Sequence, residues 1–158
     1  MINKSKNHWT NWHHIFHQSI LNNNNFLPNG INLLISVSGG QDSMALMTLL
    51  DDIKEHHNWN LNVWHGNHKW HNKSERFATE LKNYCSKKKI IFYQDSADEI
   101  DISTEEKARK WRYKKLVEQA SEICPSNENH KNLYIVTGHT STDNTETFLL
   151  NLARGSNF

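Results

Sequence analysis

A chain of 158 residues has the length of one domain and is long enough to bury a sizeable core. Its 18 Lys and Arg nearly cancel 17 Asp and Glu, leaving a net charge of +1, which argues against a uniformly basic nucleic-acid-binding module while leaving room for a local basic patch. Hydrophobic residues reach only 36% against a usual share of about 45–50%, but 10% aromatics and a near-neutral balance argue against disorder, so the expectation is a thin-cored globular domain. No apolar run approaches the roughly 18–20 residues of a membrane span. The start, Met1 to Asn7, carries no apolar segment of the secretory type. Cys85 and Cys124 are too few for a disulfide framework and too far apart for a CxxC motif. These features predict a cytoplasmic chain with no membrane partner.

Residues 9–21 place Trp9, Trp12, Phe16 and Ile20 at helical spacing and predict an amphipathic helix, its aromatic residues packed on a sheet and His13 and His17 on its polar flank. Asn22 to Asn25 and then Pro28-Asn29-Gly30 break the pattern. Residues 1–30 therefore read as an N-terminal helix and linker, ahead of a domain over 31–158. Residues 31–37 are a β-rich run ending in a glycine turn, and 44–50 are helix-forming and apolar. A second strand is predicted at 61–65, a helix at 74–88 with Phe77, Leu81, Tyr84 and Cys85 on one face, and a third strand at 89–93. A long helix over 104–124 turns Ala108, Trp111, Leu116, Ala120 and Ile123 inward. A fourth strand at 133–137 and a final helix at 143–153 complete the chain. Strands alternating with helices predict βαβ units and an α/β fold, a doubly wound, mainly parallel sheet with helices on both faces. Ligands of such sheets bind beyond the carboxyl ends of the strands, which directs attention to the turns after Val37, His65, Tyr93 and Thr137.

The first of those turns reads Ser38-Gly39-Gly40-Gln41-Asp42-Ser43. Paired glycines allow a backbone to approach a ligand closely, and the helix that follows offers unpaired N–H groups and a positive dipole end. The two serines add hydroxyl donors. Asp42 does not suit a bare phosphate, but it suits one reached through a divalent cation; stabilising the first helical turn is the alternative. GxxxxGK[ST] and GxGxxG are both absent.

The SGGxDS pattern between a strand and a helix resembles the PP-loop of the ATP pyrophosphatase superfamily, whose members bind ATP, attack its α-phosphate with a substrate oxygen and release pyrophosphate. Three further segments are similar to the tRNA(Ile)-lysidine synthetase family. Trp64-His65-Gly66-Asn67-His68-Lys69-Trp70 resembles its HxDHG-like segment, with Asn67 where an acid is common and Lys69 where a glycine is common. Glu105, Ala108, Arg109, Arg112 and Tyr113 match ExxARxxRY. Gly138-His139, Asp143, Glu146-Thr147, Asn151-Leu152 and Arg154-Gly155 look like GHxxxDxxET…NLxRG. The resemblance implies an adenine nucleotide alpha hydrolase-like PP-loop fold and ATP-dependent ligation of free L-lysine to the wobble cytidine of tRNA(Ile) with a CAU anticodon, through an adenylated base.

For the residues it implies that Ser38, Gly39, Gly40, Gln41, Asp42 and Ser43, with Gly138 and His139, bind the nucleotide. Asp42 and Asp143 would hold Mg²⁺ against the phosphates, and Arg109 and Arg112, on one helix face, would stabilise the transition state or the adenylate. Asp143 also suits a helix N-cap with Glu146 three residues on. The basic run from Lys107 to Lys115 is the candidate for tRNA phosphate contact. Histidines at 65, 68 and 71 lack the cysteine or carboxylate partners of a zinc site. Two other readings stand beside this one: another PP-loop adenylating enzyme, either a tRNA thiolase or an amide-forming synthetase, or an ATP-binding piece without full activity. The latter follows from a chain that stops at Phe158, directly after the last motif, where the family continues into further domains.

Overall fold

Leu33, Leu34 and Ile35 are all fully buried, as expected for a strand covered on both faces, and they form the centre of β1 (Asn32–Ser36). The computed structural model describes residues 9–23, 27–69, 74–97, 103–124 and 133–138, together with the backbone of 151–152. In chain order, α1 (Asn11–Asn22) precedes β1, and α2 (Gln41–His57), β2 (Asn60–Asn67), α3 (Ser74–Lys88), β3 (Ile91–Ser96), α4 (Glu105–Ile123), β4 (Leu133–Thr137) and β5 (Asn151–Leu152) follow. The strands lie in the order β3-β2-β1-β4-β5; β1 to β4 are mutually parallel and β5 is antiparallel to β4.

The period of two along each strand divides the core. Leu33, Ile35, Leu61, Val63, Tyr134 and Val136 face one layer with Leu46, Met47 and Leu50 of α2 and Leu81 and Cys85 of α3. Leu34, Trp64, Leu133 and Ile135 face the other with Ala108, Trp111, Leu116 and Ala120 of α4. Crossovers of one hand place the connecting helix on the opposite face when strand addition reverses direction, and α4 makes that reversal. The carboxyl ends of β1 and β4 therefore diverge into a crevice at the switch point. This is the predicted α/β architecture, doubly wound and mainly parallel.

Several local expectations change. β2 runs on through Gly66 and Asn67, which pair with Asp95 and Ser96, because a neighbouring strand carries the ladder past the end of the apolar run. Lys89 is not in β3: it adopts a left-handed φ of 57° that ends α3. Residues 151–152, predicted within the last helix, instead pair with Tyr134 and Ile135 along the edge of β4; residues 143–150 and 153 lie outside the described residues. Trp12 is 74% exposed, so it does not pack on the sheet; the inward residues are Phe16 and Ile20 of α1 and Trp9 just ahead of it. His13 and His17 are not on a polar flank. His13 Nδ1 accepts from the backbone N–H of Thr10, at 3.1 Å, and its Nε2 lies 3.1 Å from Asp52 Oδ2; His17 Nδ1 lies 3.0 Å from His57 Nε2. Both bind α1 to α2. Among the described residues no helix is long and apolar enough to cross a membrane.

Candidate functional site

The turn from β1 to α2 is built to expose backbone donors. Gly39 has φ +99°, and a Cβ there would also come within 3.1 Å of the Phe77 ring. Gly40 is the N-cap of α2 and, having no side chain, makes no side-chain cap hydrogen bond. Ser43 is 2% exposed; its hydroxyl donates to the Gly40 carbonyl at 2.9 Å and lies 3.2 Å from Ser38 Oγ. Ser43 thus holds the loop in shape. Gln41 and Asp42 are exposed in the first helical turn, where a carboxylate is favoured by the dipole.

β4 closes on this turn from the other side of the crevice. A Cβ on Gly138 would sit 2.9 Å from Ser43 Cα and 3.2 Å from Ser43 N, distances that backbone cannot accept. The close approach that Gly138 permits is that of the α2 N-terminus to the end of β4. His139 and Asp143 lie outside the described residues.

On the β2 side the loop opens into a cleft of about 420 Å³ lined by Ser38, Gly39, His65, Gly66, Asn67, His68, Ser74, Phe77, Glu105 and Arg112. His65 Nδ1 donates to the Val37 carbonyl at 2.7 Å, fastening β2 to the strand end that begins the loop. Burial lowers the pKa of His65 against the smaller opposing effects of that bond and of Glu75. Burial also lowers that of His68, followed by the nearby Arg112 guanidinium. Both shifts favour the neutral ring. Asn67 is buried, its amide donating to Glu75 at 2.9 Å while its oxygen accepts from the Lys69 N–H at 2.9 Å. An acid in its place would lose that donor and face Glu75 as a like charge. Lys69 takes φ 55°, the conformation that glycine adopts most readily, so the chain keeps the glycine geometry without the glycine.

α4 separates the two arginines of its motif. Arg112 is 11% exposed, lines the cleft and lies 3.5 Å from Glu105. Arg109 is exposed, with its guanidinium 5.7 Å from the Tyr113 ring centre. The remaining basic residues of the helix are largely compensated along it: Lys110 pairs with Glu106 at 2.6 Å, and Lys115 with Glu118 at 2.8 Å and Asp95 at 3.9 Å. The structure therefore brings together Ser38, Gly39, Gly40, Gln41, Asp42, Ser43 and Gly138 around one turn, sets Arg112 in the adjoining cleft and leaves Arg109 outside it. Phe77 lines the cleft with no motif to point to it, whereas Glu105, His65 and Asn67 are motif residues to which the sequence assigns no role in the site. The signals for His65 and Asn67 are that motif segment and their place at the carboxyl end of a strand next to β1.

Comparison with known proteins fits this geometry. The family described as a PP-loop domain matches residues 13–158. The chain is 58% identical over 156 residues to a tRNA(Ile)-lysidine synthase of Prochlorococcus marinus subsp. pastoris, covering 99% of this chain and 46% of that protein. It is 47% identical over 148 residues to the protein of the same name from Prochlorococcus marinus strain SARG, covering 94% and 44%. Against the chloroplastic tRNA(Ile)-lysidine synthase of Pyropia yezoensis, identity is 38% over 138 residues, covering 87% and 40%. The chain thus spans somewhat under half the length of these relatives. Among solved structures, the U34-tRNA thiolase NcsA from Methanococcus maripaludis superposes with a TM-score of 0.52 over 73% of this chain and 40% of that one; at 20% identity the likeness speaks for the fold. With the matched region taking in nearly the whole chain, from within α1 to the last residue, this protein belongs to the PP-loop domain family.

Proposed function

We propose that the chain binds ATP and serves in the ATP-dependent joining of lysine to the wobble cytidine of tRNA(Ile) with a CAU anticodon. The observation that carries this reading is its 58% identity, across 99% of its length, to a tRNA(Ile)-lysidine synthase. The uncapped α2 N-terminus behind Gly39 and Gly40, at the switch point between β1 and β4, supports the ATP half of it. The base carbonyl oxygen attacks the α-phosphorus, the bond to the β-phosphate oxygen breaks and pyrophosphate leaves. The ε-amine of lysine then attacks the activated ring carbon and AMP departs with the oxygen.

In this reading the backbone N–H groups over Gly39 to Ser43 take the phosphates, and Ser38 and Ser43 keep the loop in shape. Gly138 lets the α2 N-terminus seat against β4, and His139, the next residue in the sequence, would contact the nucleotide. Arg112, largely buried at the edge of the cleft, places positive charge beside the nucleotide, and Arg109 serves the tRNA side. Among the described residues no group of three or more His, Cys, Asp or Glu side chains is disposed to hold a metal ion. Mg²⁺ takes one or two carboxylates and completes its shell with phosphate oxygens and water. Asp42 and Asp143 are the carboxylates that would hold it, and when bound it would neutralise charge on the leaving pyrophosphate.

Sulfur transfer, the activity named for the structural neighbour, has less support. Cys85 is buried with its thiol pushed up to about 11 by burial and by the nearby Asp51, and Cys124 caps α4 at the end away from Glu105. The test is ATP–pyrophosphate exchange with and without tRNA(Ile) and lysine. Exchange that requires the tRNA, and that Asp42→Asn abolishes without altering thermal unfolding, supports the reading. Exchange indifferent to tRNA(Ile) and lysine contradicts it.

A further inference from the structure

We propose that Gly66 is a positioning residue for Arg112: carrying no side chain, it admits two indoles over the end of β2, and their packing sets the depth from which α4 offers Arg112 to the cleft. The inference rests on the ATP reading above, in which Arg112 places charge beside the nucleotide, and deepens it. Gly66 falls on the unspecified position of the HxDHG-like segment, so the motif assigns it no part. It does not take a left-handed φ, and its need for glycine is one of space. A Cβ there would lie 2.5 Å from Cη2 of Trp64 and 2.9 Å from Cζ3 of Trp111.

Both indoles are held. Trp64 is fully buried, and its Nε1–H donates to Asp95 of β3 at 2.7 Å. The buried Trp111 ring lies 6.1 Å from that of Trp64 and meets the His68 ring edge-on at 5.0 Å. Lys115, one turn further along α4, lies 3.9 Å from the same Asp95, so strand and helix share one anchor. A methyl forced into a close-packed interior displaces whatever yields most easily. Trp64 belongs to a strand paired on both sides, whereas α4 rests on the sheet through side chains such as Trp111 and Leu116. The helix is therefore what moves. Arg112 follows Trp111 directly and lines the cleft beside Gly66, so a shift of Trp111 carries the guanidinium with it. A charge-assisted contact depends on both distance and direction, and a displacement of about 1 Å is enough to lose it.

The test is a set of double-mutant cycles read by ATP titration, thermal unfolding and ¹⁵N NMR of the Arg112 side chain, with the Gly39 and Gly40 amides reporting loop occupation independently. Gly66→Ala should weaken ATP binding about tenfold and abolish the shift of the Arg112 Nε resonance on adding ATP, while the loop amides still move. Adding Trp111→Phe, which trims the ring edge facing residue 66, should restore both the affinity and the shift. In an Arg112→Gln background Gly66→Ala should cost no further affinity, because its effect passes through Arg112. Three results overturn the positioning role and leave ATP binding standing: a Gly66→Ala chain that only unfolds earlier, with affinity and Arg112 shift unaltered; a loss that Trp111→Phe does not relieve; or a loss that persists in full without Arg112. Should Gly66→Ala not fold, the double variant is compared with Trp111→Phe alone: tighter ATP binding by the double supports the proposal, and equal or weaker binding overturns it. Loop amides that stay still in the unaltered chain at saturating ATP overturn the ATP reading together with it.

Discussion

The two ends of α2 face opposite demands, although one 17-residue helix joins them. At the N-terminus no side chain caps the first turn, a glycine holds φ +99°, and the strand beyond comes so close that only glycine fits. At the C-terminus several polar groups are paired. Asn58 takes a left-handed φ of 55° and its N–H closes on Lys54; His57 bridges Asn29 and His17; Asp51, buried inside the same layer, binds Lys54 at 2.7 Å and Lys88 at 2.8 Å. These contacts anchor that end of the helix to α1 and α3, while the glycine-flanked N-terminus faces the crevice.

The contrast is broken most severely at Gly138. Gly138→Val pushes a branched side chain into the backbone of Ser43. It should lower stability by about 1–3 kcal/mol and weaken ATP binding at least about tenfold, read by denaturant unfolding and by nucleotide titration. Asp51→Asn attacks the closed end and should cost stability, about 1.5–3 kcal/mol by the usual worth of hydrogen bonds between charged groups, while ATP affinity at the far end holds. A loss of affinity as large as that of Gly138→Val would erase the distinction between the two ends.

Acidification probes the closed end more gently. Burial, then neighbouring imidazoles, lowers the pKa of His57 and of His17. A histidine whose folded pKa is depressed contributes stability that is present above its unfolded value of about 6.5 and is lost as pH falls from there through the lower folded value. His65 and His68 add to the same slope. Unfolding followed from pH 8 to pH 5 should show declining stability, with His57→Gln removing part of the decline and leaving ATP affinity at neutral pH unchanged. The smallest effect belongs to Asn58→Gly, which relieves the left-handed cap and should gain at most about 1 kcal/mol, visible as a slightly raised midpoint.

The open end was more legible in the sequence than the closed one, for a physical reason. Gly39, Gly40 and Asp42 are adjacent residues whose conformational needs are local, and β1 announces itself because burial on both faces demands an unbroken apolar run. The closed end is made by residues far apart in sequence. Nothing local says that His17 meets His57 forty positions on, or that Asp51 is buried against Lys88. Trp12 and Trp9 share a helical spacing, yet only the position of α2 decides which of them is covered. Arg109 and Arg112 likewise share a spacing, and the cleft at the end of β2 takes in only Arg112. The left-handed φ of Lys69 explains afterwards why glycine suits that position, but the residue itself gives no hint of it.

Amide hydrogen exchange of the chain with and without ATP tests the central claim directly, because it reads both ends of α2 in one measurement. The account predicts that ATP slows exchange over Gly39 to Ser43 and leaves Lys54 to Asn58 unchanged. Unchanged exchange at the loop in saturating ATP, or protection confined to the Lys54–Asn58 end, would contradict it.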